Sequence, residues 1–323
     1  LNKRKKIISI VIKSLVGLAC ALIVYFRLRS DFTPANLALL SSSVFSVSGM
    51  LSVLLCLLLI PVNWGLESYK WMLTTAPIEK VSLVTAQKSV YSGICVGNLA
   101  PGRATEFLAK IIYFRPENRP NISVLHFVNG MFQLSVTYLL GFVALAYKIK
   151  SFGGQYMWIA WMTAGIACAI IAVFILSLIK IDKVLHYVTK KFSKQPGENF
   201  NYRFTRITIF KLFFFSIVRY TVFLFQMLLL INLFQSGIFT ADIILSVVLY
   251  FLITTTIPMI SVIEPAIRAA VALVVFSDTG LSNTAMALAS VSVWLANIII
   301  PSIAGYIFLI EQNFDFNFGK SKA

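Results

Sequence analysis

An all-α polytopic membrane fold is what this sequence predicts, and three observations predict it. The composition is 59% hydrophobic and only 12% charged, with a mean hydropathy of +0.85, which excludes a water-soluble core. The apolar runs are long and continuous, unlike the short alternating segments of an outer-membrane barrel. The few ionic residues inside apolar sequence gather in two interrupted stretches. Together these give about six transmembrane helices plus two re-entrant helical hairpins arranged as inverted repeats, with about eight plain spans as the alternative.

The whole chain, 1–323, reads as a single membrane domain, with residues 1–147 and 157–310 as the two repeats. Ile7–Phe26 follows the basic run Lys3-Arg4-Lys5-Lys6. It lacks a small-residue cleavage site before Arg27, so it is expected to be an uncleaved first span with its basic end cytoplasmic. Leu37–Ile60 returns, and Pro61-Val62-Asn63-Trp64 opens an amphipathic stretch carrying Glu67, Lys70 and Trp71. Trp and Lys at the end of a span are read here as interface anchors.

The stretch Tyr91 to Arg115 holds Asn98, Pro101, Gly102, Arg103, Glu106 and Lys110 within otherwise apolar sequence. Charges at membrane depth face a bundle interior or a wet cavity and mark functional sites. An irregular backbone there must be buried in protein or line a cavity. Residues 91–100 and 103–114 are therefore expected to be the arms of a hairpin with its tip near Pro101, the second arm ending at Pro116 and Pro120.

Ile122–Tyr147 crosses next, with Asn129 and Gln133 on one face suited to interhelical hydrogen bonds. Met157–Ile179 returns. The loop 180–211 carries Lys180, Lys183, Lys190, Lys191, Lys194, Arg203, Arg206 and Lys211 against Asp182 and Glu198, which assigns it to the cytoplasm. Within it, Val184, Leu185, Val188 and Phe192 form the apolar face of a short surface helix, with His186 on another side. Leu212–Phe234 carries Arg219, for which two readings stand: snorkelling to the interface or facing a cavity.

Ile243–Pro258 and Glu264–Ser277 are too short to span comfortably and form the second expected hairpin, with Pro258 at its tip. Thr284–Ile310 then brings the terminus back, so both termini are expected to be cytoplasmic. The two hairpins carry matching charges, Arg103 and Glu106 in one and Glu264 and Arg268 in the other. They are expected to meet where broken elements of inverted repeats converge. Two readings stand for them: a structural ion-pair network, or arginines that exchange carboxylates for a lipid phosphate.

The excess of 28 Lys+Arg over 12 Asp+Glu points to topology and anionic lipid rather than nucleic acid, because no soluble basic domain is present. Cys20, Cys56, Cys95 and Cys168 lack ligand spacing, neither His lies beside an acidic cluster, and no Walker motif occurs. No cofactor, metal site or catalytic residue is therefore expected.

Asn98-Leu99-Ala100-Pro101-Gly102-Arg103-Ala104-Thr105-Glu106 resembles the N-x-x-P-x-R-x-G-E type motif of the flippase-like membrane domain of lysylphosphatidylglycerol synthases and of stand-alone bacterial and archaeal proteins, with Thr105 where a Gly is usual. Asn63-Trp64 and Lys70-Trp71 resemble that family's polar-aromatic stretch. Ile257-Pro258 through Glu264 and Arg268 are similar to its later segment. The resemblance implies movement of an anionic lipid or lipid-linked intermediate between leaflets; the leading expectation is a translocase of the bacterial inner membrane whose transport is passive, driven by an ion gradient, or coupled to a lipid-modifying partner enzyme. The aminoacyltransferase domain of bifunctional members does not occur in this sequence, so lipid aminoacylation is not implied. The competing expectations are an integral membrane enzyme, or a scaffold, in phospholipid or polyprenyl-phosphate metabolism.

Overall fold

A computed structural model describes residues 33–98, 103–151, 204–235, 240–257, 259 and 263–311, with isolated positions between 22 and 26 and between 158 and 187. The expected first span Ile7–Phe26, the hairpin tips Pro101, Gly102 and Pro258, and the surface helix with His186 lie wholly or largely outside these residues. So do most of Met157–Ile179 and most of the basic loop.

The described residues form helices and no strand. In chain order they are α1 (Pro34–Phe45), α2 (Val47–Thr75), α3 (Leu83–Gly97), α4 (Glu106–Ile111), α5 (Arg119–Ser151), α6 (Arg206–Phe234), α7 (Ala241–Thr256), α8 (Glu264–Val275) and α9 (Asn283–Ile310). A π turn, Leu295–Ile299, interrupts α9.

Four of these are long and apolar enough to cross a membrane: Val47–Thr75, Arg119–Ile149, Arg206–Phe234 and Asn283–Ile310. Helices of 28 to 31 residues exceed the roughly 30 Å hydrocarbon thickness at about 1.5 Å per residue. Their outer faces expose Leu51, Leu54 and Leu58 on α2, Phe210, Phe214 and Ile217 on α6, and Ile303, Ile307 and Ile310 on α9. Apolar stripes of this extent are incompatible with water and suited to lipid. The chain is an α-helical membrane protein.

The chain divides into two compact units. One comprises Leu1–Pro61, Asn98–Gly102 and Val222–Ile300; the other comprises Val62–Gly97, Arg103–Thr221 and Pro301–Ala323. Each draws on both halves of the sequence.

In the first unit, Ser46 separates α1 from α2. Its hydroxyl accepts from Gly49 N at 3.0 Å and donates to Ser43 O at 2.7 Å, making it the N-cap of α2. The expected span Leu37–Ile60 is therefore corrected: the chain breaks at Ser46 and then runs unbroken through Pro61 to Thr75. Thr240 caps α7 by accepting from Ile243 N at 3.2 Å, and Ser282 caps α9 through Ala285 N at 3.2 Å. These caps put the later helices close to where the apolar runs predict them. Ala269, Leu273 and Ala287 form an apolar core between α8 and α9, with Val291 against it, and the two alanines let the helices approach closely.

In the second unit, α3 and α4 run antiparallel. Thr105 Oγ1 donates to Val96 O at 2.7 Å, Ser89 Oγ donates to Lys110 O at 2.9 Å, and the Ser92 and Tyr113 hydroxyls lie 2.7 Å apart. The first arm starts earlier than expected because the Ser82 hydroxyl accepts from Thr85 N at 3.1 Å. Gly93 and Gly97, one turn apart, form the contact face: a Cβ on Gly93 would lie 2.8 Å from Lys110 Cγ, and one on Gly97 would lie 3.2 Å from Glu106 Cβ. Pro120 does not end the second arm. It sits in the first turn of α5, where no N–H is needed.

Candidate functional site

The second unit buries a chain of ionic side chains. On α2, Asn63, Glu67, Lys70 and Thr74 follow each other at intervals of four, three and four, so one helical face carries all of them. All are buried, Lys70 completely. Glu67 is the hub. Its Oε2 accepts from Arg219 Nη1 at 2.9 Å and from Lys70 Nζ at 3.5 Å, and its Oε1 accepts from Asn129 Nδ2 at 2.7 Å.

Arg219 extends this network from α6. Its Nε donates to Asn63 Oδ1 at 2.9 Å, and its guanidinium carbon stands 4.8 Å from the centre of the Trp64 ring. Arg219 does not reach for the interface: its side chain is buried and engaged with Asn63 and Glu67. Asn129 also takes Thr74 Oγ1 at 3.3 Å, and Gln133 Nε2 donates to Ser216 O at 3.4 Å. The expected interhelical hydrogen bonds of α5 are therefore present.

Lys110 joins the hub to the antiparallel pair α3 and α4. Its Nζ lies 4.0 Å from Glu67 Oε1, 2.8 Å from Glu106 Oε1 and 5.3 Å from the centre of the Trp71 ring. Trp71 Nε1 donates to Ser89 Oγ at 3.0 Å, which ties α2 to the first arm. The interface-anchor reading of Lys70 and Trp71 is corrected: both are fully enclosed. His126 lies among the rings of Trp71, Phe107 and Phe127.

Arg103 sits at the open end of the chain. It has φ of 58°, the one positive value for a non-glycine among the described residues, and a left-handed arginine is strained. Its Nε is 3.9 Å from Glu106 Oε2, beyond hydrogen-bond reach, and neither Nε nor Nη2 has a hydrogen-bond partner although both atoms are buried. Glu106 gives Oε1 to Lys110 at 2.8 Å and turns Oε2 toward Arg103 as a looser ion pair. Comparison with family models, with curated proteins and with solved structures finds no match.

Of the residues expected at the site, Arg103, Glu106 and Arg219 thus share one network, linked through Glu67 and Lys110. Asn98 directly follows the last residue of α3, and Pro101, Gly102 and Pro258 lie outside the described residues. Glu264 and Arg268 belong to the other unit, where they pair along the first turn of α8: Arg268 Nε and Nη2 lie 2.9 and 2.8 Å from Glu264 Oε1. The buried Tyr250 hydroxyl is beside Arg268. The same unit holds an uncharged polar contact at the π turn. Gln226 Nε2 donates to Cys56 O at 3.0 Å and Asn297 Nδ2 donates to Gln226 Oε1 at 2.9 Å.

The residues that sequence reasoning missed as site members are Glu67, Lys70, Asn63 and Asn129, while Lys110 was singled out with Arg103 and Glu106 but given no role. Their signal was the repeated spacing of three and four along α2 and from Arg103 through Glu106 to Lys110. Chemically, the arrangement holds several cations where water is scarce and leaves one guanidinium fork with free donors, a combination suited to an anion.

Proposed function

We propose that this chain moves an anionic, phosphate-bearing lipid or lipid-linked intermediate between the leaflets of the bacterial inner membrane. The observation that carries the reading is Arg103, whose buried Nε and Nη2 lack hydrogen-bond partners while the neighbouring carboxylate is held by Lys110. A buried donor without an acceptor is costly, and a phosphate oxygen is the acceptor that a guanidinium fits best. Lys110, Glu67 and Arg219 continue the polar path behind it. The resemblance of residues 98–106 to the flippase-like membrane domain adds to this reading.

The architecture that goes with it has about six spans and two re-entrant hairpins in inverted repeats, with both termini cytoplasmic. Arg103 then stands near the tip of the first hairpin, where a headgroup enters while the acyl chains stay in lipid. Glu264 and Arg268 serve the second hairpin in the corresponding role. A lipid-modifying enzyme that supplies or consumes the lipid is the expected partner.

Reconstitution of the purified protein into liposomes tests this. Exchange of a labelled anionic phospholipid between leaflets is expected with the parent chain and is expected to fall to the protein-free rate with Arg103→Ala. Exchange by Arg103→Ala at the parent rate overturns the proposal.

A further inference from the structure

We infer that the headgroup taken by this site is a doubly charged terminal phosphate, a phosphomonoester, rather than the singly charged diester of an ordinary phospholipid; the inference rests on the anion-binding reading above. The connected network contains the cations Lys70, Arg103, Lys110 and Arg219 and the carboxylates Glu67 and Glu106. With His126 neutral, the positive side exceeds the negative by two.

No other described acid of this unit offsets that excess. Glu79 accepts from Arg115 N and Asn118 Nδ2, Glu311 pairs with Lys88 at 3.1 Å, and Glu117 is exposed. Lys70, Lys110 and Arg219 are enclosed in low dielectric and Arg103 stands at the part-exposed mouth, its side chain 30% exposed; cations so placed without counter-charge are unfavourable, and a ligand that brings the missing charge relieves them. A diester leaves half of the excess uncompensated; a monoester neutralises it. Arg103 is where the ligand docks, because its free donors are adjacent on one side of the guanidinium and match two oxygens of one phosphate.

The test measures binding to the purified full chain in detergent with three probes: dioctanoyl phosphatidic acid, dioctanoyl phosphatidylglycerol and inorganic phosphate, at a pH where the monoester is doubly ionised. The monoester is expected to bind about tenfold more tightly than the diester, the scale set by one further charge near a guanidinium after desolvation. Arg103→Gln is expected to bring the two affinities together. Equal binding of both lipids by the parent chain overturns the inference while leaving the anionic-lipid reading standing. Binding of neither lipid by folded protein overturns both. Inorganic phosphate binding as tightly as the monoester lipid supports the doubly charged class and overturns its lipid source. The parent ratio needs no variant, so the test stands even where Arg103→Gln fails to fold.

Discussion

Glu67→Gln removes the carboxylate on which the buried network converges. In the parent chain that group accepts from Arg219 at 2.9 Å, Lys70 at 3.5 Å and Asn129 at 2.7 Å, and faces Lys110 at 4.0 Å. The amide keeps the shape and one acceptor oxygen, so no cavity opens. What changes is that Arg219, Lys70 and Lys110 remain enclosed with Glu106 as their only connected anion. Removing one partner of a buried pair costs about 3–5 kcal/mol. At roughly 2 °C of Tm per kcal/mol for a large domain, the variant should unfold about 6–10 °C below the parent. Thermal unfolding in detergent, followed by circular dichroism, reads the shift. A double-mutant cycle with Arg219→Met isolates the pair and should return a coupling of about 1–3 kcal/mol, the double variant being better than the sum of the singles. A shift below about 2 °C, or strict additivity, refutes the assignment of Glu67 as the hub.

Other outcomes follow from the same geometry. Gly305→Ala would push a methyl group into the Tyr91 carbonyl oxygen, backbone against backbone, and should cost about 3 kcal/mol; Gly65→Ala and Gly130→Ala, with nothing within 4 Å of the added atom, should instead gain about 0.5–1 kcal/mol by thermal unfolding. Arg103→Gly should relieve the left-handed strain and raise stability by about 1 kcal/mol while abolishing lipid exchange in liposomes, separating folding from function at one position. Gln226→Leu and Asn297→Leu should each cost about 1–3 kcal/mol by stranding the other partner, and the double variant should cost less than their sum in the same unfolding assay.

Much of the helical framework was legible because apolar runs and their caps are local. Thr240 and Ser282 sit where the runs for α7 and α9 begin, and their side chains close the first turns. The path through Pro61 was not legible in that way. Proline lacks an N–H and ordinarily marks a helix boundary, yet within a membrane helix neighbours can satisfy the freed carbonyl, and α2 continues for more than three further turns to Thr75. That continuity decides the meaning of Glu67, Lys70 and Trp71. On a separate amphipathic stretch they read as interface anchors; as the continuation of a buried helix they face inward. Gly93 and Gly97 are a comparable case, since their close approach to Lys110 and Glu106 is foreshadowed by small residues four apart and is fixed only once the second arm folds back.

Arg103 shows why residue spacing alone could not assign the ion pairs. Glu106 has a cation three residues before it and another four residues after it, and either interval brings side chains together on a helix. The rule presumes that both residues are helical. Lys110 meets that condition within α4, which begins at Glu106. Arg103 precedes the helix with φ of 58°, so it lies off the face that Glu106 and Lys110 share. Lys110 therefore takes the carboxylate at 2.8 Å, and Arg103 is left at 3.9 Å. The backbone departure that loosens the Arg103–Glu106 pair to 3.9 Å is the same feature that leaves Nε and Nη2 of the guanidinium without a hydrogen bond, and on the proposed reading it is what lets a strained residue hold an anion.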